Sequence, residues 1–314
     1  MIVLLTTLAA CSSPENTTPT FVPARATEPT NTQTATPSPP AQGHEPGGHA
    51  GKIYKDITYC TMDGIPLRLD LYFPGSMDAP APIVVYVHGG GWTQGSKDGQ
   101  LEIFYASSLL DTGFVLASVD YRLAPQYKFP AMIEDVKCAI RFLRAHAAEY
   151  NIDPERIGAM GASAGGHLVS LLGVTDEKAG FDVGEYLDQS SRVQAVVDLF
   201  GPADLTVGYS SAYAGMAQHV FGTIDPAHPI FRAASPVTYI TPDDPPFLIL
   251  HGDRDQTVPL AQSQEFYDKL IAGGVEAQLI IVQGGGHGLS NPEEVPSPAE
   301  LIGFTRQFFE QKLK

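Results

Sequence analysis

The spacing of hydrophobic residues along positions 51–314 changes repeatedly between that of strands and that of helices. Apolar and polar residues alternate on both sides of Asp63 and Gly64, which predicts an opening antiparallel pair of strands. Beyond it, continuous apolar runs such as PIVVYVHGGG alternate with amphipathic stretches such as FPAMIEDVKCAIRFLRAHAAEYN. Such runs are typical of parallel strands buried on both faces. The alternation therefore predicts an α/β fold with a mostly parallel central sheet and helices on both of its faces.

The predicted parallel strands end in glycines and polar residues. Examples are RIGAMGAS, VQAVVDLFGP, PFLILHGDRD and AQLIIVQGGGH. In open α/β sheets, ligands bind beyond the carboxyl ends of the strands. We therefore expect the chemistry of this chain at that edge of the sheet.

Ser163 is the first candidate for a reactive side chain. It is the central residue of GASAG, residues 161–165, which fits the pattern G-x-S-x-G. A nucleophilic serine of this type sits on a sharp strand-to-helix turn, where glycines on either side leave room for it. The pattern predicts a strand before the pentapeptide and a helix after it, as this turn requires. A packing site for small residues is the alternative interpretation of the pentapeptide alone.

A serine nucleophile needs a base and an acid that orients the base. His287 lies at the end of the last predicted strand and is the candidate base. Asp255 is the candidate acid, because it lies deeper in its loop than Asp253 and precedes a stiffening Val-Pro pair. Asp253 is expected to accept hydrogen bonds from backbone N–H groups instead. His167, one helical turn after the serine, is the weaker candidate base and is expected to be a buried, hydrogen-bonded histidine.

The stretch HGGGW, residues 88–92, supplies candidate donors for a negatively charged intermediate. Its glycines allow the backbone to approach a substrate closely and to point N–H groups at one oxygen. Gly90, Gly91 and Ala164 are therefore the predicted oxyanion hole. His88 is expected to hydrogen-bond the loop. A reaction built from these groups requires no metal and no organic cofactor.

Aromatic residues are the candidate substrate contacts. Trp92 and Tyr121 are predicted to bind substrate, although packing beneath the loop explains Trp92 equally well. Residues 202–245 lie between two predicted strands and are interpreted as a small cap insertion. Tyr209, Tyr213 and Phe221 of this insertion are candidate contacts for an aromatic acyl group, and ordinary packing within the cap is the alternative for each of them.

Several of these motifs resemble a known fold family. HGGGW, VDYRLAP, GASAGGH and the pair HGDRDQTVP and GGGHG resemble the esterase branch of the α/β-hydrolase fold. The first two motifs are similar to the hormone-sensitive-lipase type. That type usually carries Asp at the position of Ala162, and its acid lies in a D-P-L-x-D motif; this chain has neither feature. The later motifs and the opening YCTMDGIPLRLDLYFP are more similar to bifunctional feruloyl and acetyl xylan esterases.

The resemblance implies a serine carboxylesterase that works through an acyl-enzyme. Its expected substrates are short-chain or aromatic carboxylic esters, either as small molecules or linked to plant cell-wall polysaccharides. An amidase or peptidase, such as an arylformamidase, is the alternative, because its triad would look the same. A non-catalytic binding protein on the same fold is a further alternative, and it predicts that a member of the triad is missing.

The N-terminal region has a different composition. MIVLLTTLAAC, residues 1–11, is similar to a bacterial lipoprotein signal with Cys11 as the lipidated residue, although no Lys or Arg precedes the apolar stretch. A short buried apolar segment is the alternative. Residues 12–50, rich in Thr and Pro, are interpreted as a disordered tether. The sequence thus predicts an exported protein whose catalytic domain is residues 51–314.

Charge and cysteines limit the partners and the compartment. The formal net charge of −16 argues against nucleic acid as a partner, and a lipid anchor is the expected membrane attachment. Export would permit a disulfide bond between Cys60 and Cys138, and two buried thiols are the alternative. The sequence leaves the oligomeric state open.

Overall fold

The computed structural model describes residues 50–77, 79–99, 106–207 and 214–314. The predicted signal at residues 1–11, including Cys11, lies outside the described residues. The same holds for the predicted tether up to residue 49 and for Tyr209 and Tyr213.

The described residues form eight strands and eight α-helices. The strands are β1 (Ala50–Met62), β2 (Ile65–Pro74), β3 (Ala81–Val87), β4 (Val115–Val119), β5 (Ile152–Ala162), β6 (Ala195–Leu199), β7 (Phe247–Gly252) and β8 (Ala277–Val282). The helices are α1 (Ala106–Leu110), α2 (Ala131–Ala145), α3 (Ala147–Tyr150), α4 (Ala164–Val174), α5 (Ala214–Phe221), α6 (Pro229–Ala233), α7 (Leu260–Ala272) and α8 (Pro298–Leu313). Two short 3₁₀ helices are Glu177–Ala179 and Pro236–Thr238.

All eight strands join one sheet in the order β1-β2-β4-β3-β5-β6-β7-β8. Strand β2 runs antiparallel to β1 and to β4, and every other neighbouring pair is parallel. The centre of the sheet is in register, with Val85 opposite Ala117 on one side and Ala159 on the other. The predicted opening antiparallel pair and the predicted mostly parallel sheet are both confirmed.

The core lies on both faces of the sheet. Successive residues of a strand point to opposite faces, so Val85 belongs to a cluster with Leu172 of α4, whereas Val84 belongs to a cluster with Phe309 of α8. Every residue of β3 is buried, as the continuous apolar run predicts. Within the described ranges, no helix is long and apolar enough to span a bilayer.

A disulfide bond connects the edge of the sheet to a helix that covers it. Cys60 of β1 and Cys138 of α2 are bonded, with their Cα atoms 6.5 Å apart. Of the two alternatives that the sequence left open, the structure has the disulfide. It links residues that are 78 positions apart in the chain.

The parallel strands bring four loops to one edge of the sheet. The stretch at residues 88–92 follows β3, Ser163 follows β5, Asp255 lies in the loop after β7, and His287 lies in the loop after β8. The insertion at 202–245 joins β6 to β7 and contains α5, α6 and the second 3₁₀ helix. These four candidate groups therefore lie at the carboxyl edge of the parallel strands, where the sequence predicts them.

Candidate active site

Ser163 occupies a strained turn between β5 and α4. Its backbone has φ 56° and ψ −118°, values that cost energy for any residue other than glycine. Its N–H donates to the carbonyl of Leu199 at 2.9 Å. A Cβ on Gly165 would lie 2.0 Å from the carbonyl oxygen of Val87, so this position excludes any other residue. The glycine thus allows α4 to start directly against β3, and this close packing helps to hold the serine in its strained conformation.

The hydroxyl of Ser163 belongs to a chain of two hydrogen bonds. Nε2 of His287 lies 2.9 Å from Ser163 Oγ, and Nδ1 of His287 lies 2.7 Å from Asp255 Oδ2. Since a carboxylate only accepts, Nδ1 carries the proton of the neutral imidazole and Nε2 accepts from the serine hydroxyl. The ring of Phe200 packs edge-to-face against the imidazole of His287, with the ring centroids 4.6 Å apart.

Asp255 is held as a carboxylate by several donors. Its Oδ1 accepts from the N–H groups of Thr257 at 2.7 Å and Val258 at 2.9 Å. Its Oδ2 faces His287 and also lies 3.4 Å from Nε2 of His251. Burial alone would raise the pKa of Asp255, but hydrogen bonds from both histidines and from Val258 outweigh it and hold that pKa well below its ordinary range. The group is therefore ionised wherever the protein is folded near neutral pH.

The two competing candidates have other partners. Asp253 is exposed, and its Oδ1 accepts from the backbone N–H of Gly284 at 2.7 Å. His167 is fully buried, with Nε2 2.7 Å from the carbonyl oxygen of Ala234 and Nδ1 3.2 Å from Nε1 of Trp92. The structure thus brings Asp255 and His287 to Ser163 and engages the side chains of Asp253 and His167 elsewhere.

The stretch after β3, here called the glycine loop (residues 88–95), lines a cavity beside Ser163. The N–H groups of Thr93 and Gln94 both donate to the carbonyl of Gly90 at 3.1 Å, which closes the turn. Gly90 and Gly91 have φ of +109° and +60°. The cavity measures about 230 Å³. Its lining comprises Gly90, Gly91, Trp92, Thr93, Gln94, Ser163, Ala164, Pro202, Met216, Thr257, Val258 and His287.

The two predicted substrate contacts are placed differently. Trp92 is buried and lines the cavity. Tyr121 is also buried, but it is absent from the described lining of the cavity, and its hydroxyl donates to the carbonyl of His88 at 3.0 Å. Its ring stacks on that of His88, with centroids 4.2 Å apart. The prediction for Tyr121 is therefore corrected: this side chain supports the glycine loop, because its hydroxyl group and its ring both contact His88.

His88 and Phe221 also pack inside the protein. Nδ1 of His88 lies 2.7 Å from the carbonyl oxygen of Gly89, and burial lowers the pKa of His88. Phe221, a candidate contact for an aromatic acyl group, is buried in α5. Its ring lies 5.9 Å from that of Trp92 and 5.1 Å from that of Phe231. It therefore contributes to the packing behind the tryptophan.

Sequence reasoning missed one buried histidine near the acid. His251, in β7, has Nδ1 2.6 Å from the hydroxyl of Ser263 and Nε2 2.8 Å from the carbonyl oxygen of Val258. It thereby holds the loop that carries Asp255. The signal that could have found it is a polar residue directly after the apolar run FLIL. Phe200 was also missed, because an aromatic residue after a strand has no distinctive pattern.

The described residues contain no group of three or more His, Cys, Asp or Glu side chains that could hold a metal ion. What the site does contain is a hydroxyl, an imidazole that accepts from it, and an ionised carboxylate that orients the imidazole. Such a constellation can perform nucleophilic acyl transfer.

Comparison with known families identifies the domain. A family profile described as BD-FAE matches residues 69–270, more than half of the chain. This chain belongs to the BD-FAE family. The resemblance to esterases predicted from the sequence motifs is thereby confirmed.

A curated relative of this BD-FAE chain is named an esterase. This chain is similar to Esterase LipC of Mycobacterium tuberculosis, with 35% identity over 217 residues. The match covers 67% of this chain and 53% of LipC. The chain spans about half the length of the curated relatives it matches.

Solved structures of esterases share the fold. A truncated form of a carbohydrate esterase from gut microbiota superimposes with a TM-score of 0.73 and 30% identity, covering 84% of this chain and 96% of that one. An acetyl ester-xyloside bifunctional hydrolase from Caldicellulosiruptor lactoaceticus gives a TM-score of 0.68 and 27% identity, with 78% and 88% of the two chains covered. The predicted α/β-hydrolase fold is confirmed by these neighbours.

Proposed function

We propose that this BD-FAE chain is a serine carboxylesterase that hydrolyses short-chain esters through an acyl-enzyme. The observation that carries the proposal is the hydrogen-bonded chain from Asp255 through His287 to Ser163, with the serine beside a cavity. Family membership and the names of the relatives support ester hydrolysis as the reaction.

The reaction has two steps, acylation and deacylation of Ser163, and His287 transfers the proton in both. Oγ of Ser163 attacks the ester carbonyl carbon while Nε2 of His287 takes the hydroxyl proton. The tetrahedral intermediate collapses, its bond to the alcohol oxygen breaks, and His287 returns the proton to the leaving alcohol. Water then attacks the acyl-serine while His287 takes a proton from it. The bond between the acyl carbon and Oγ breaks, His287 returns the proton to Oγ, and the carboxylic acid is released.

The negative oxygen of each intermediate needs donors that are already in place. The N–H groups of Gly90, Gly91 and Ala164 are our proposed donors, and all three residues line the cavity with Ser163. One such donor is worth roughly 3 kcal/mol of barrier in serine hydrolases. The ionised Asp255 stabilises the imidazolium that forms in the same step, and it keeps Nε2 pointing at the serine.

The size of the cavity favours a small acyl group. About 230 Å³ is below the range of roughly 300–1,000 Å³ that is usual for sites of drug-sized ligands. Acetyl esters are therefore the proposed substrates, and an acetyl ester-xyloside hydrolase among the solved neighbours supports this choice. Feruloyl esters remain the aromatic alternative.

A hydrolysis panel tests the function directly. Wild-type protein and the Ser163→Ala variant would be assayed with p-nitrophenyl acetate, acetylated xylan, methyl ferulate and an acyl anilide. We expect turnover of the acetyl esters by wild type and its loss in the variant. The control is Ser170→Ala, at a buried serine in α4, which should keep the turnover. Turnover by Ser163→Ala would refute the mechanism, and preference for the anilide would indicate an amidase.

We also propose that the protein is exported and anchored through a lipid on Cys11, with residues 12–50 as a tether. The disulfide bond between Cys60 and Cys138 supports an oxidising compartment. The test is metabolic labelling with an alkyne-tagged fatty acid in a bacterial host. The label and detergent-dependent extraction are expected in wild type and absent in Cys11→Ala; an unlabelled wild-type protein would overturn the proposal.

A further inference from the structure

We infer that His167 is a positioning residue for the esterase reaction, one that fixes the glycine loop through the indole of Trp92. The inference rests on the proposed function, because the loop is assigned there as the source of oxyanion donors. His167 has no place in the proton transfers described above. Its contacts join three separate parts of the chain.

The three parts meet at one imidazole ring. His167 belongs to α4, the helix that starts directly after Ser163. Its Nδ1 lies 3.2 Å from Nε1 of Trp92 in the glycine loop, and its Nε2 lies 2.7 Å from the carbonyl oxygen of Ala234 in the insertion between β6 and β7. The ring of His167 also meets the indole edge-on, at 5.1 Å and 87°.

The hydrogen bonds define which form of His167 can do this. The carbonyl of Ala234 only accepts, so Nε2 must carry a proton. The indole N–H of Trp92 only donates, so Nδ1 must keep its lone pair. Only the neutral ring with a proton on Nε2 satisfies both partners. Burial supports this assignment, since it lowers the pKa of His167 to about 4.

Trp92 needs such an anchor because its backbone is strained. Gly90, Gly91 and Trp92 are three consecutive residues with positive φ, and the tryptophan has φ 59° without being a glycine. Strain of this kind persists only where surrounding contacts enforce it. Two hydrogen bonds hold this residue: the N–H of Ala124 donates to the Trp92 carbonyl at 2.9 Å, and the indole N–H of Trp92 donates to Nδ1 of His167.

The consequence concerns the direction of the loop N–H groups. Trp92 directly follows Gly90 and Gly91, so a shift of its indole is transmitted to the two proposed donors. Donors that point at a developing oxyanion contribute to the transition state more than to substrate binding. Loosening the loop should therefore lower kcat, leave KM nearly constant, and weaken analogues of the tetrahedral intermediate.

The experiment compares two substitutions at the same position. His167→Phe keeps a ring but removes the acceptor and the donor, whereas His167→Gln restores one of each. For p-nitrophenyl acetate we expect kcat to fall about tenfold or more in His167→Phe, with KM within about twofold. The inhibition constant of a short alkylboronic acid, which forms a tetrahedral adduct with the serine, should rise in parallel. His167→Gln should recover most of both losses.

A matched control separates positioning from stability. Leu172→Ala lies on the same helix, is buried, and is expected to lower the melting temperature without changing kcat per titrated active site. The inference is overturned if His167→Phe keeps the wild-type kcat and boronate affinity, or if His167→Gln is as impaired as His167→Phe.

Two further measurements cover the remaining outcomes. If His167→Phe does not fold, Trp92→Phe removes the same hydrogen bond from the other side; it should lower kcat, and the double variant with His167→Gln should show little additional loss. A wild-type kcat in Trp92→Phe would overturn the inference. Turnover by Ser163→Ala would instead refute the proposed function, so the two failures are distinguishable.

Discussion

Asp255 and Asp253 lie two residues apart, yet only Asp255 contacts the histidine beside the serine. Its Oδ2 is 2.7 Å from Nδ1 of His287, whereas Asp253 accepts from the backbone of Gly284. The side chain of Asp255 is fully buried, and Asp253 is exposed. A substitution of Asp255 therefore tests the role of the acid, and the same substitution of Asp253 is its matched control.

Asp255→Asn should impair the esterase far more than Asp253→Asn. An amide at position 255 keeps the shape but loses the charge, and its NH₂ can present a donor to Nδ1, which favours the wrong tautomer of His287. We expect kcat for p-nitrophenyl acetate to fall roughly 10³- to 10⁴-fold. Asp253→Asn should retain kcat within about threefold, since its amide oxygen can still accept from Gly284. Similar losses in the two variants, or the reverse ranking, would contradict Asp255 as the acid.

Tyr121→Phe tests the support beneath the glycine loop. The substitution removes the hydroxyl that donates to the carbonyl of His88 and leaves the stacked ring in place. Loss of one such hydrogen bond should cost about 1 kcal/mol of unfolding free energy. We expect kcat to fall less than about tenfold and KM to stay constant. A large rise in KM with unchanged stability would instead indicate the direct substrate contact that the sequence suggested.

Much of the site could be predicted from the sequence because its signals are local. Ser163 lies between a recognisable strand and helix, and the parallel sheet brings the ends of β7 and β8 to the same edge. An acid after one of these strands and a histidine after the other therefore indicate Asp255 and His287 as the partners of the serine.

The remaining features depend on packing between distant segments. His251 meets Ser263 across a loop and a helix, which no local pattern indicates. Tyr121 contacts His88, 33 positions earlier in the chain, and no local pattern indicates that pairing. The bond between Cys60 and Cys138 depends on the distance between β1 and α2, which only the folded chain determines.

Reduction of the disulfide should destabilise the protein without stopping the reaction. The bond closes a loop between residues 78 positions apart, and such a crosslink typically contributes about 2–4 kcal/mol by restricting the unfolded chain. We expect the double variant Cys60→Ser and Cys138→Ser to lose that amount in urea denaturation at pH 7. Neither cysteine lines the described cavity, so kcat should stay near the wild-type value.

Reductant provides the control for the disulfide. Treated wild-type protein should approach the stability of the double variant, and the double variant should not respond to the treatment. Equal free energies of unfolding for wild type with and without reductant, after complete reduction is shown by thiol titration, would contradict the prediction.

The buried His167 should make the protein less stable as the pH falls. Burial lowers the pKa of its imidazole to about 4, whereas a histidine in an unfolded chain titrates near 6.5. As the pH falls from about 6.5 towards 4, the unfolded chain binds the proton first, so unfolding becomes more favourable. The neutral His167 contributes roughly 3 kcal/mol to the free energy of unfolding. This contribution is fully present above about pH 6.5 and is lost as the pH falls to about 4.

The comparison of wild type with His167→Gln isolates this contribution from every other titrating group. Urea denaturation at several pH values between 7 and 4.5 gives the free energy of unfolding for both proteins. Glutamine does not titrate, so the wild-type value should fall more steeply towards acid and the gap between the two should shrink or change sign. His88, whose pKa burial also lowers, is present in both proteins and cancels from the difference. Parallel curves would mean that His167 binds its proton equally well in the folded and unfolded states, which its two hydrogen bonds to a carbonyl acceptor and an indole donor should not allow.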